Sequence, residues 1–190
     1  MPVVPRPPKY LTGNLGGAFP EFWDRPGQLA RPSVASMTHR VQYMAAGDGA
    51  ELVAPDAVLT VKIDADHTDE HYELFEVDAP RGPATPLHRT GWGKAYYVLH
   101  GRMIVQIEDE GFDLGPGSSI TIPPAALHTF TVLSPTVKFL VVSLTGAMGR
   151  FHADLDASVP HGCPVEQAVQ QVQQVLDRHD VTVAGLQAVR

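Results

Sequence analysis

At 190 residues, 44% hydrophobic and 18% charged, the chain has the size and composition of one globular domain with a single core, or of one domain with an elaborated terminus. Its 17 Gly and 17 Pro favour many turns over long helices, hence a β-rich fold. A formal net charge of −7 without any Lys/Arg run argues against nucleic acid, the lone Cys163 rules out an internal disulfide, and the want of a signal core or a long apolar run argues against a membrane and points to a cytoplasmic protein.

In chain order, residues 1–45 form a Pro/Gly-rich N-terminal arm with aromatic residues Tyr10, Phe19, Phe22 and Trp23. Such an arm is expected to pack along the domain or on a partner subunit, because a disordered tail is poorer in aromatics. Residues 46–150 read as the β domain. Alternation with β-branched and aromatic residues predicts strands over 57–63 and 71–77, separated by the polar stretch 64–70. Further strands follow at about 84–90, 94–100, 102–108, 117–122, 126–133 and 136–145, the spacing of an all-β sandwich or barrel. Residues 151–190 form a C-terminal helical segment. There Val165, Ala168, Val169, Val172, Val175 and Leu176 recur at helical spacing, with Pro164 in the first turn. The helix is expected to close or dock on one end of the barrel. Cys163 beside Pro164 reads as an unpaired thiol without an activating partner.

Two histidines, His88 and His128, each follow a Pro/Gly turn and flank the hairpin whose turn is His100-Gly101. A small barrel can aim two such imidazoles from separate strands at one interior point. Lys94 and Tyr96 lie two apart on a strand and share its face, whereas Tyr97 faces the other way and serves packing. His100 reads as exposed. His67 and His71 flank an acidic loop, which could supply a metal ligand only by folding over the barrel mouth, and the reading is against it.

These residues resemble the cupin superfamily, whose motifs run G-x5-H-x-H-x3,4-E-x6-G and G-x5-P-x-G-x2-H-x3-N. Gly82, His88 and Gly101 match the first, and Gly117, Pro123 and His128 the second. The resemblance implies an all-β cupin double-stranded β-helix, or jelly-roll barrel, with an N-terminal arm and a C-terminal α-helix. Within the superfamily the stretch is most similar to single-domain proteins related to quercetin dioxygenases, whose arms imply a homodimer. In metal-binding cupins both first-motif histidines, its glutamate and the second-motif histidine hold the cation. Here Thr90 replaces the second histidine and Lys94 the glutamate, while Ala125 and Val132 replace the glycine and asparagine of the second motif.

That exchange changes the chemistry. Two imidazoles leave most of a transition ion's coordination sphere to water, and an ammonium is a donor without a lone pair. Either Lys94 turns away from the barrel axis, or a fixed organic cation has replaced the metal. In an apolar barrel lined by Tyr96, Phe130 and Val132, such a cation would stabilise a developing enolate, phenolate or carboxylate. Burial would lower the pKa of Lys94 and of His88 towards general-base range. The expected enzyme is a metal-independent, cofactor-free isomerase, cyclase or lyase acting on a small, largely apolar organic substrate, as in natural-product biosynthesis. His88 and Lys94 are its base and anion-stabilising pair, and His128 or Tyr96 the proton donor. Thr90, Phe130, Val132 and Met103 are the expected substrate contacts. The alternatives are a quercetinase-like dioxygenase with Fe, Mn or Ni on His88 and His128, and a cupin that only binds a small molecule.

Overall fold

The computed structural model describes residues 41–54, 56–159 and 165–185. Residues 1–40 of the expected arm, with Tyr10, Phe19, Phe22 and Trp23, lie outside the described residues, as do Cys163 and Pro164.

Two antiparallel sheets face each other, as in a cupin jelly roll. The first contains β1 (Ala50–Val53), β2 (Val58–Ile63), β3 (Tyr72–Pro80), β5 (Lys94–His100), β8 (Ser119–Ile122) and β10 (Thr136–Leu144), in the order β1-β2-β3-β10-β5-β8. The second contains β4 (His88–Thr90), β6 (Met103–Ile107), β7 (Glu110–Leu114), β9 (His128–Val132) and β11 (Val181–Val183), in the order β11-β4-β9-β6-β7. Helices α1 (Ala147–Ser158) and α2 (Val165–Arg178) connect β10 to β11.

Period-two patterning fixes which side chains turn inward. On β10, Val137, Phe139, Val141 and Ser143 are buried, and on β5 so are Lys94, Tyr96 and Val98. Tyr97 does face outward but is exposed rather than packed, and His100 is exposed as expected. Gly101 closes the β5–β6 turn with φ of 81°; a Cβ there would also run into the Thr136 carbonyl.

Four elements depart from the expectation. β1 precedes the first predicted strand, 57–63, and pairs with it. β7 has an exposed, weakly alternating sequence that reads as loop. The helical region begins at Ala147, inside the stretch assigned to the barrel, and places Met148, Phe151 and Leu155 against the core. Past α2 the chain returns to the sheet as β11, pairing Val181 with Thr90 and Val183 with His88. The C-terminal segment therefore covers the edge of β4 as well as docking on the barrel.

The helices are tied down by polar contacts. The Glu73 carboxylate on β3 accepts the Gly149 N–H in the first turn of α1 at 3.0 Å, satisfying a donor that the helix itself cannot. Asp154 on α1 accepts from Arg178 at 2.9 Å and contacts His179 Nε2 at 2.9 Å, joining the two helices. No helix among the described residues is long and apolar enough to cross a membrane.

Candidate active site

Between the sheets lies a cavity of about 210 Å³ with walls from both sheets and both helices. His88 and Thr90 reach it from β4, Lys94 and Tyr96 from β5, Phe130 from β9, and Phe151 and His152 from α1. The wall is mainly aliphatic and aromatic, with Trp92, Phe130, Phe139 and Phe151 among its members.

His88 and His128 are a directly opposed pair across β4 and β9. Their ring centroids are 4.1 Å apart. Each Nδ1 contacts a carbonyl two residues earlier, Pro86 at 2.7 Å and Ala126 at 2.8 Å. Since a carbonyl only accepts, the proton sits on Nδ1 and Nε2 keeps its lone pair. Burial lowers the pKa of His88 to about 4 and that of His128 to about 3, with the Lys94 charge adding to both. Both rings are neutral at pH 7. The two do not share one position in the site: His88 lines the cavity, whereas His128 stands one ring back with its Nε2 buried and unpartnered. His128 thus touches His88 rather than the cavity itself.

Lys94 turns into the barrel and is only 8% exposed. Burial lowers its pKa to about 7 against the opposing pull of the Asp56 carboxylate. The Tyr96 ring centroid lies 5.9 Å from Lys94 Nζ, at the outer limit of a cation–π contact. Burial raises the Tyr96 pKa, so the phenol stays protonated at neutral pH. Thr90 is buried in the wall and donates its hydroxyl hydrogen to the Trp92 carbonyl at 3.0 Å.

Phe130 is in the wall, edge-on to Phe139 at 5.8 Å. Met103 and Val132 are not. They oppose each other across β6 and β9 and are packed into the core, because side chains fill that part of the barrel. Their expected substrate contact is corrected to a packing role. His67 and His71 are also outside the wall, bonded locally to Asp64 and the Thr68 carbonyl.

Two titratable wall residues escaped the sequence reading. Asp56 supplies a carboxylate that accepts a hydrogen bond from Thr85 Oγ1. His152 on α1 donates from Nδ1 to the Met148 carbonyl at 2.9 Å, leaving its Nε2 lone pair free, and burial lowers its pKa to about 4. The spacing of Met148, Phe151 and Leu155 at i, i+3 and i+7 was the available signal for α1 and hence for His152.

The donor set does not make a transition-metal site. The free Nε2 atoms of His88 and His128 resemble those of metal-binding imidazoles, but the positions that would complete the sphere carry a threonine hydroxyl and an ammonium. Among the described residues, no three or more His, Cys, Asp or Glu side chains are grouped to hold an ion.

Residues 74–143 match the model of the cupin domain. No curated protein matches the chain. Among solved structures, the polyketide cyclase RemF from Streptomyces resistomycificus is 25% identical, with a TM-score of 0.49 over 55% of this chain and 80% of that one. KdgF from Halomonas sp. is 18% identical, with a TM-score of 0.50 over 56% of this chain and 94% of that one. The likeness to KdgF is one of fold.

Proposed function

We propose that this chain, whose residues 74–143 match the cupin domain, is a metal-independent enzyme of isomerase, cyclase or lyase type that moves a proton on a small, largely apolar carbonyl compound. The observation that carries this reading is Lys94, a buried amine aimed into an apolar cavity at the position of the family's metal-binding glutamate.

His88 presents a neutral Nε2 lone pair to the cavity and takes the proton α to the carbonyl. As negative charge moves onto the carbonyl oxygen, the protonated fraction of Lys94 stabilises it in a site where water screens little. Tyr96, held as a phenol, returns a proton at another carbon or oxygen. His128 holds the ring of His88 from behind, and His152 is a second imidazole within the wall. Thr90 leaves room beside His88, and Phe130 supplies apolar contact. The expected homodimer and a place in natural-product biosynthesis belong to the same reading. A dioxygenase using Fe, Mn or Ni on His88 and His128 is disfavoured by the donor set and by the ammonium beside it.

The test is hydrogen–deuterium exchange at the α-carbon of enolisable apolar ketones in D₂O, followed by NMR with chelator-treated protein. Exchange catalysed by the chelated protein and lost in His88→Ala is the expected result. Exchange that appears only after Fe, Mn or Ni is restored would overturn the metal-independent reading. A ligand that binds without exchange would make the protein a binding module.

A further inference from the structure

We infer that Lys94 is a covalent nucleophile, whose amine condenses with the ketone or aldehyde carbonyl of an apolar substrate to form an imine in the cavity. This rests on the reading of the cavity as a site for apolar carbonyl compounds, and adds to it a bond.

The surroundings of Lys94 offer its amine no anionic partner among the described residues. On the inner face, the strand neighbours of Lys94 are Ile122 on β8 and Ser143 on β10. The next residue in that row is Glu73 on β3, whose carboxylate is taken by the Gly149 N–H. Asp56 is held by Thr85, and the other titratable groups in the wall are His88, His152 and Tyr96. Thus, among the described residues, no carboxylate holds Lys94 as an ammonium. Lys62 and Lys138 are engaged differently: Lys62 donates to the Ala45 and Asp48 carbonyls, and Lys138 pairs with Glu76 and Asp78. A lysine desolvated in an apolar pocket keeps a nucleophilic amine fraction near neutral pH.

The surrounding groups can supply the proton transfers. The amine lone pair forms a C–N bond to the carbonyl carbon while the C=O π pair moves to oxygen. The nitrogen then loses a proton to the His88 Nε2 lone pair, and the oxygen gains one from the Tyr96 phenol, giving a neutral carbinolamine. The protonated His88 returns its proton to the hydroxyl, which leaves as one water and gives an iminium. Loss of the nitrogen proton to the Tyr96 phenolate gives the imine and restores both side chains; loss of the α-proton to the neutral His88 instead gives an enamine. The condensation consumes no oxidant or reductant, and water reverses it.

The experiment incubates the full chain with 4-phenylbutan-2-one and sodium cyanoborohydride, followed by peptide mapping. Cyanoborohydride reduces the imine to a stable secondary amine on the lysine that formed it. Alkylation of Lys94 roughly tenfold or more faster than of Lys62 and Lys138 is expected. Because the map reads the wild-type chain, the result does not depend on a variant folding. Lys94→Arg, which keeps the charge but cannot form the imine, provides the second arm and is expected to lose exchange of the ketone's α-protons. Exchange that persists in Lys94→Arg, or without preferential Lys94 labelling, would overturn the imine and leave the acid/base reading standing. Absence of both exchange and labelling, with no binding of the ketone, would overturn both.

Discussion

Lys94 and Lys138 occupy paired strands of the same sheet, and strand parity gives them opposite environments. Lys138 stands on the outer face of β10, with its Nζ 2.8 Å from Glu76 and 3.0 Å from Asp78. Those carboxylates raise its pKa by hydrogen bonding. Lys94 stands on the inner face of β5, where burial lowers its pKa to about 7. The outer lysine is a solvated ion pair that the fold tolerates at little cost. The inner one weakens the fold at neutral pH, and a residue with that profile in a cavity is where function is to be sought.

The largest expected effect follows from removing the inner amine. Lys94→Met keeps the volume of the wall and should reduce α-proton exchange by about 10²–10³-fold, measured by NMR. Its folding should improve. With the native pKa lowered from 10.5 to about 7, the unfolded chain binds more protons across that window, so wild-type stability rises with pH between those values. Below pH 7 the full penalty of burying the charge is present; above 10.5 it is gone. Chemical denaturation at a series of pH values should therefore show Lys94→Met most stabilised relative to wild type at neutral and lower pH. An equal difference at every pH would mean that the inner lysine is not desolvated.

The next effect tests the frame around the cavity. At Gly149 an added Cβ would meet the Glu73 carboxylate, so Gly149→Ala should cost about 1–3 kcal/mol and loosen α1 with its wall residues Phe151 and His152. A loss of stability with unchanged exchange kinetics would show that α1 does not shape the site. Smaller, and of opposite sign, is Ala125→Gly. Ala125 occupies the motif's glycine position with φ of 61°, in the left-handed region that disfavours a Cβ. Relief of that strain should stabilise the turn before His128 by about 0.5–1 kcal/mol, read as a raised denaturation midpoint.

The smallest effect is expected at the outer lysine. Lys138→Met should change stability by less than about 1 kcal/mol, and by less still at high salt, because its ion pairs are substantially solvent-exposed. Were Lys138→Met as consequential for exchange as Lys94→Met, the contrast between the two faces would fail.

Much of this contrast was legible in the residues. Alternation along 94–100 and 136–145 placed Lys94 and Tyr96 on one face and Tyr97 on the other, and the turns at Gly101 and Gly117 framed the strands between the histidines. What the pattern could not give was depth. Met103 and Val132 share the inner parity of Phe130, yet parity does not tell which part of a barrel is hollow, and the filled part claimed them. Parity likewise placed His128 inward but could not put the His88 ring between it and the cavity. β7 escaped because its exposed strand carries little alternation, and β11 because three residues are too few for a period. α1 was obscured by Gly146 and Gly149, which weaken the local helix signal; the glycine at 149 answers to a carboxylate from β3, far away in sequence. His152 was lost with that helix.

The most direct test of the account is the titration of Lys94 itself, followed by NMR of protein carrying ¹³C at lysine Cε, with the Lys94→Met spectrum assigning its resonance. A midpoint near 7 is expected, far below the ordinary lysine value. A midpoint near 10.5 would place the amine in water or against a carboxylate, and would contradict the cavity chemistry built on it.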